Sequence, residues 1–210
     1  MARPPAMQID TAVRVVLNVR SLNLTDDQFI RLCSDNRDLR IEMSAERELI
    51  IMPPPGSKTG QRNANVIYSL MRWAKQDGTG ICFATDTGFT LPNSAKRGPD
   101  AAWVRLERWN KIPEEQQERL APLCPDFVVE LRSPSDHLSD LERKMEEYIA
   151  NGAQLGWLLD PFDKCAVIYR PGQPPARIEN PTILRGDPVL PGFQFDFREI
   201  VTSIRSSDRQ

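Results

Sequence analysis

The chain has a single histidine, His137, and contains no glycine-rich phosphate loop or dinucleotide fingerprint. Ser-His-Asp catalysis would depend on that one imidazole. It stands among Ser135, Asp136 and Ser139, where the start of a helix accounts for it. The four cysteines, Cys33, Cys82, Cys124 and Cys165, lie 49, 42 and 41 residues apart. Such gaps suit neither a zinc site nor a disulfide scaffold and imply free thiols in a reducing compartment. No apolar run is long enough to span a bilayer, and no apolar leader follows Met1-Ala2-Arg3-Pro4-Pro5. A soluble cytoplasmic protein with no membrane partner and no organic cofactor is therefore expected. Charge of one sign is also lacking: 27 Lys+Arg against 29 Asp+Glu leave a net charge of -2, so any DNA contact needs a local basic patch.

What is present is an ordinary globular composition. With 210 residues, 40% hydrophobic and 27% charged, the chain can bury a substantial core and is no disordered tail, coiled coil or fibrous repeat. Eighteen prolines against 11 glycines imply many loops and sharply ended elements.

Thr25-Asp26-Asp27-Gln28 has the form of a capping box ahead of a helix. Residues 39–43 and 49–52 alternate as a hairpin, and a helix is expected from about Gln61 to Gln76, closed by Asp77-Gly78. Extended pieces follow at 81–84, 88–91 and 100–104, then a strand over 126–132. A helix over 137–151 leads into 154–160, an almost continuous apolar strand. Strand, helix and strand in that order predict a parallel pair. The expected class is mixed α/β in one domain over 21–202, with a flexible segment at 1–20 and a polar tail at 203–210. Trp73, Trp103, Trp109 and Trp157 lie in apolar patterns and read as core or interface.

Two acids occupy strand positions that otherwise favour apolar residues: Asp100, after Gly98-Pro99, and Glu130, within Phe127-Val128-Val129-Glu130-Leu131. Burying an unpaired carboxylate costs several kcal/mol, so Glu130 needs a partner. A hard divalent ion shared with Asp100 is one partner; Arg132 or Lys144 is the other. Lys144 stands about 60° from Leu141 around its helix, on the flank of the apolar stripe. It either directs its ammonium toward the sheet or pairs in solvent with Glu147 or Asp140.

The strings Gly98-Pro99-Asp100-Ala101, Pro125-Asp126-Phe127-Val128-Val129-Glu130-Leu131-Arg132-Ser133-Pro134, Lys144-Met145-Glu146-Glu147-Tyr148 and Trp157-Leu158-Leu159-Asp160-Pro161 resemble the Uma-two family. That family is grouped with restriction-endonuclease-like proteins of the PD-(D/E)xK nuclease superfamily, and the resemblance extends over about residues 20 to 200. It implies a restriction-endonuclease-like core, a central mixed sheet flanked by helices, here with an added N-terminal hairpin and C-terminal strands. It also implies a metal-dependent endonuclease that hydrolyses DNA phosphodiesters. Asp100 and Glu130 would hold Mg²⁺ (or Mn²⁺), and Lys144 would match a catalytic lysine moved from the strand to the next helix.

Arg132 stands where the superfamily usually has lysine; it cannot be deprotonated to act as a base, which leaves it a phosphate contact or a structural partner. Gln61-Arg62-Asn63 replaces a histidine common among relatives. Asn63 can orient a water or ligand and cannot serve as base. Lys96 and Arg97 would either guide a DNA backbone or form a solvated pair. Double-strand cutting needs two sites, so a homodimer is expected, with the aromatic strand Phe193 to Phe197 as its two-fold contact. The alternative function is a nuclease-fold nucleic-acid-binding or regulatory module with weak or no cleavage.

Overall fold

The computed structural model describes residues 14–201. Most of the expected N-terminal segment and all of the expected tail lie outside them. The chain runs β1 (Val15–Asn18), α1 (Asp26–Asp35), β2 (Arg40–Met43), β3 (Glu48–Met52), α2 (Ser57–Asp77), β4 (Gly80–Ala84), β5 (Phe89–Thr90), β6 (Lys96–Arg97) and β7 (Ala101–Arg105). Two helical turns, α3 (Leu106–Trp109) and α4 (Glu114–Gln117), precede β8 (Phe127–Leu131), α5 (Leu138–Ala150), β9 (Leu155–Asp160) and β10 (Cys165–Tyr169). Then follow β11 (Ala176–Glu179), β12 (Ile183–Arg185), β13 (Gln194–Asp196) and α6 (Arg198–Val201).

Local chemistry accounts for the ends of the main helices. Thr25 Oγ1 accepts from the Gln28 backbone N–H while the Gln28 side chain accepts from the Thr25 N–H, a capping box that stabilises α1 by about 1 kcal/mol. Helix α2 begins four residues before the expected start and ends where Gly78 turns left-handed at φ 72°. Residues 15–18, expected in the flexible segment, instead form β1, because their backbone completes the edge of β3.

The main sheet has six strands in the order β11-β10-β9-β8-β7-β4, antiparallel except for the expected parallel pair β8/β9. Its two faces carry separate cores. Phe127, Val129 and Leu131 of β8 pack with Val66 and Leu70 of α2, whereas Val128 packs with Met145 and Tyr148 of α5. Gly156 lets α5 sit close: a Cβ there would lie 2.4 Å from Met145 Cε. A second, five-stranded sheet in the order β1-β3-β2-β6-β5 extends the expected hairpin. The turn Gly98-Pro99-Asp100 carries the chain from β6 of that sheet into β7 of the main one.

Phe193, Phe195 and Phe197 are 2% exposed or less, so the expected two-fold contact through this strand is corrected. They face inward against the α2 side of the sheet, where Phe193 stacks on Trp157 with ring centroids 5.5 Å apart. The edge of β13 is taken by β12 of the same chain. All four cysteines are free thiols, and among the described residues no helix is long and apolar enough to cross a membrane.

Candidate active site

The register of β7 against β8 settles how two acids come together. Ala101 pairs with Val129 and Ala102 with Val128, and just beyond that ladder the Asp100 N–H donates to the Val129 carbonyl at 3.0 Å, which brings Asp100 to the end of β8 that carries Glu130. Glu130 points to the α5 face, because it lies two residues beyond Val128, whereas Asp100 reaches Asn63 of α2. Asp100 is 7% exposed and Glu130 3%.

Each carboxylate is held by the chain. The Leu131 backbone N–H donates to Asp100 Oδ2 at 2.9 Å, and Asn63 Nδ2 donates to Oδ1 at 3.2 Å. Arg40 stands 3.6 Å from the same Oδ1. Burial raises the Asp100 pKa, with Arg40 opposing. Glu130 Oε1 accepts from the Tyr148 hydroxyl at 3.0 Å and lies 2.9 Å from Lys144 Nζ. Among the described residues no partner reaches its second oxygen, Oε2. Burial pushes Glu130 up to about 7 against the pull of Lys144, and the charges of Asp100 and Glu42 push the same way.

Lys144 thus takes the first of its two alternatives. Its ammonium turns in toward the sheet, because Lys144 and Tyr148 stand one turn apart and the Tyr148 ring is buried beneath α5. It is clasped a second time by Glu42 Oε1 at 2.7 Å. Burial opposes the charged form of Lys144, but Glu130 and Glu42 outweigh it and raise the pKa.

Glu42 and Arg40 were missing from the sequence-based candidates. Both lie on β2, two residues apart, and that alternation ordinarily marks a solvated face. Nothing local in β2 signals that α5 and the Gly98 turn cover it. Glu42 Oε1 also accepts the Gly98 N–H at 3.1 Å, and Oε2 accepts from Arg97 at 3.1 Å. Burial would raise Glu42, but Lys144, Arg97 and the Gly98 N–H together hold it at about 2.

The remaining candidates fall elsewhere. Arg132 donates to Asp160 at 2.6 Å and Asp163 at 3.3 Å, facing away from the acids at the end of β9. Lys96 and Arg97 are neither a DNA guide nor a solvated pair, which corrects both readings. The crossing between the sheets buries them: Lys96 Nζ pairs with Asp26 at 2.9 Å, and Arg97 Nε with Glu147 at 2.5 Å. His137 takes the N-cap position of α5 without a side-chain capping bond.

A cavity of about 620 Å³ opens over Asp100, Glu130, Glu42 and Lys144. Its donor set is all oxygen and nitrogen, with the carboxylates of Asp100 and Glu130 and one free oxygen on the latter. Among the described residues no three His, Cys, Asp or Glu side chains are gathered to cage a metal. Two carboxylates still fit a magnesium-type ion, which keeps several waters and takes its other ligands from a substrate phosphate.

The family model for Uma2, described as a putative restriction endonuclease, matches residues 26–198. The chain belongs to the Uma2 family. Among solved structures, a putative nuclease of DUF820 from Anabaena variabilis shares the fold, with a TM-score of 0.70 at 20% identity over 85% of this chain and 97% of that one. No curated protein matches. The Uma2 assignment and the restriction-endonuclease-like fold agree with the mixed sheet and flanking helices described above.

Proposed function

We propose that this Uma2 protein is a metal-dependent endonuclease hydrolysing phosphodiester bonds in DNA. The observation that carries the reading is the meeting of Asp100, Glu130 and Lys144 in one cavity, with Nζ 2.9 Å from Glu130. Hydrolysis forms a bond from the oxygen of water to phosphorus, breaks the bond to the leaving alkoxide and delivers a proton to that alkoxide.

Asp100 and Glu130 would hold Mg²⁺, or Mn²⁺ in its place. A divalent ion there supplies charge stabilisation on the phosphate and lowers the pKa of bound water. The chain's own residues prepare for it. The Leu131 N–H and Asn63 fix the plane of the Asp100 carboxylate, and Tyr148 fixes that of Glu130. Lys144 favours the ionised form of Glu130 against the effect of burial and adds positive charge beside the acids.

The test is cleavage of single- and double-stranded DNA with Mg²⁺ or Mn²⁺, with and without chelator. Cleavage that needs metal and disappears in Asp100→Asn and Glu130→Gln is expected. Cleavage that survives both substitutions removes these residues from the reaction. One observation favours a second reading, a nucleic-acid-binding module with weak cleavage: Lys144 is clasped by two carboxylates and Arg132 by Asp160 and Asp163. DNA binding without turnover would select it.

A further inference from the structure

We infer that Arg40 is the residue that receives the substrate phosphate, an assignment that rests on the nuclease reading above. The cavity over the acids is lined by five Lys and Arg side chains, and the structure separates them by how firmly they are already engaged. Arg14 and Arg143 both pair with Asp140 at the rim. Arg97 is closed by Glu147 at 2.5 Å and Glu42 at 3.1 Å. Lys144 is closed by Glu42 at 2.7 Å and Glu130 at 2.9 Å.

Arg40 differs from these four. Its contacts are long, 3.6 Å from Nη1 to Asp100 Oδ1 and 3.3 Å from Nη2 to the Gly98 carbonyl oxygen. A guanidinium has five N–H groups, and among the described residues the other donors of Arg40 meet no protein acceptor. Its side chain is 25% exposed and lines both this cavity and an adjoining one of about 780 Å³, so it stands at the junction of the two. The planar fork matches two oxygens of a phosphate, which a lysine ammonium does not.

Placement supports the same role. Arg40 comes from the hairpin sheet and stands beside Asp100 at the cavity wall, so a phosphate that reaches the acids also comes within range of the guanidinium. Two residues along the same strand, Glu42 anchors Lys144. One strand therefore presents a loosely held cation to the substrate and fixes the buried one behind it.

The experiment compares wild type, Arg40→Ala and Arg40→Lys as full chains. Affinity for a labelled DNA duplex is measured in Ca²⁺ over about 50–200 mM salt, and cleavage in Mg²⁺. Arg40→Ala is expected to bind at least tenfold more weakly, with the slope of log affinity against log salt shallower by about 1. Its kcat/KM is expected to fall about a hundredfold, the scale of losing one charge-stabilising donor. Arg40→Lys should keep the salt slope, because the charge remains, while losing much of kcat. If Arg40→Ala does not fold, Arg40→Lys decides alone: wild-type kcat and KM overturn the assignment. Binding by Arg40→Ala with wild-type affinity and slope also overturns it and leaves the nuclease reading intact when wild type cleaves. A wild type that binds through Arg40 without cleaving keeps the assignment and removes the nuclease reading. A wild type that neither binds nor cleaves removes both.

Discussion

Lys144 Nζ lies 2.9 Å from Glu130 Oε1 and 2.7 Å from Glu42 Oε1, so one ammonium joins helix α5 to a strand of each sheet. Around it the buried acids Asp100, Glu130 and Glu42 are met by Arg40, Arg97 and Lys144. Burial raises the Glu130 pKa, with the charges of Asp100 and Glu42 adding to it, and a bound divalent ion would favour the ionised form.

The pH dependence of stability follows from Glu130. Its folded-state pKa rises from the usual 4.5 to about 7 through burial, so it favours the native state in its protonated form. That contribution is complete below the ordinary glutamate value and is lost as pH rises through about 7; it amounts to about 3 kcal/mol. In chelator, the melting temperature of wild type should fall between pH 5 and pH 8, measured by calorimetry, relative to Glu130→Gln. Parallel profiles would refute the assignment of this titration to Glu130.

Metal addition should act in the opposite sense over the same range. An ion on Asp100 and Glu130 requires both carboxylates ionised, so its stabilising effect grows as pH rises through about 7. Thermal shifts with Mg²⁺ at pH 6 and pH 8 measure this. Equal shifts at the two values, or a shift retained in Asp100→Asn, would place the ion elsewhere.

Removing the lysine should cost more than removing the whole ionic set. Lys144→Met leaves Glu42 and Glu130 facing each other without their cation, a loss of about 3–5 kcal/mol. Adding Glu130→Gln to Lys144→Met should recover part of it. A double-mutant cycle by denaturant unfolding reads the coupling, and strictly additive effects would mean that the pair does not interact in solution.

Arg132 is expected to serve stability. Arg132→Ala strips the 2%-exposed Asp160 carboxylate of its cation, at a cost of about 1–3 kcal/mol, while kcat stays near wild type. A loss of kcat at unchanged melting temperature would return Arg132 to the reaction.

The C-terminal aromatics should behave as core. Phe195→Ala removes a ring that is 0% exposed, and destabilisation of about 3–5 kcal/mol is expected. Sedimentation should show the same oligomeric state as wild type. A changed state with intact stability would restore this strand as an interface.

Much was legible in the residues alone. The capping box at Thr25, the hairpin, both long helices and the parallel strand pair follow from local spacing, because periodicity and capping act within a few residues. Glu130 announced itself as a carboxylate in an apolar strand, and the motif strings identified the family. Only the tertiary structure decided which charges meet. The pairing of β7 with β8 brought Asp100 to the same end of the sheet as Glu130, and the packing of a second sheet brought in Arg40 and Glu42 from residues near 40. Other long-range contacts closed off Lys96, Arg97 and Arg132 with acids remote in sequence, and buried an aromatic strand that alternation leaves free to face either way. A side chain's type and its face within one element are local properties. Whether that face meets water or an opposing charge depends on contacts between distant segments, which no local pattern encodes.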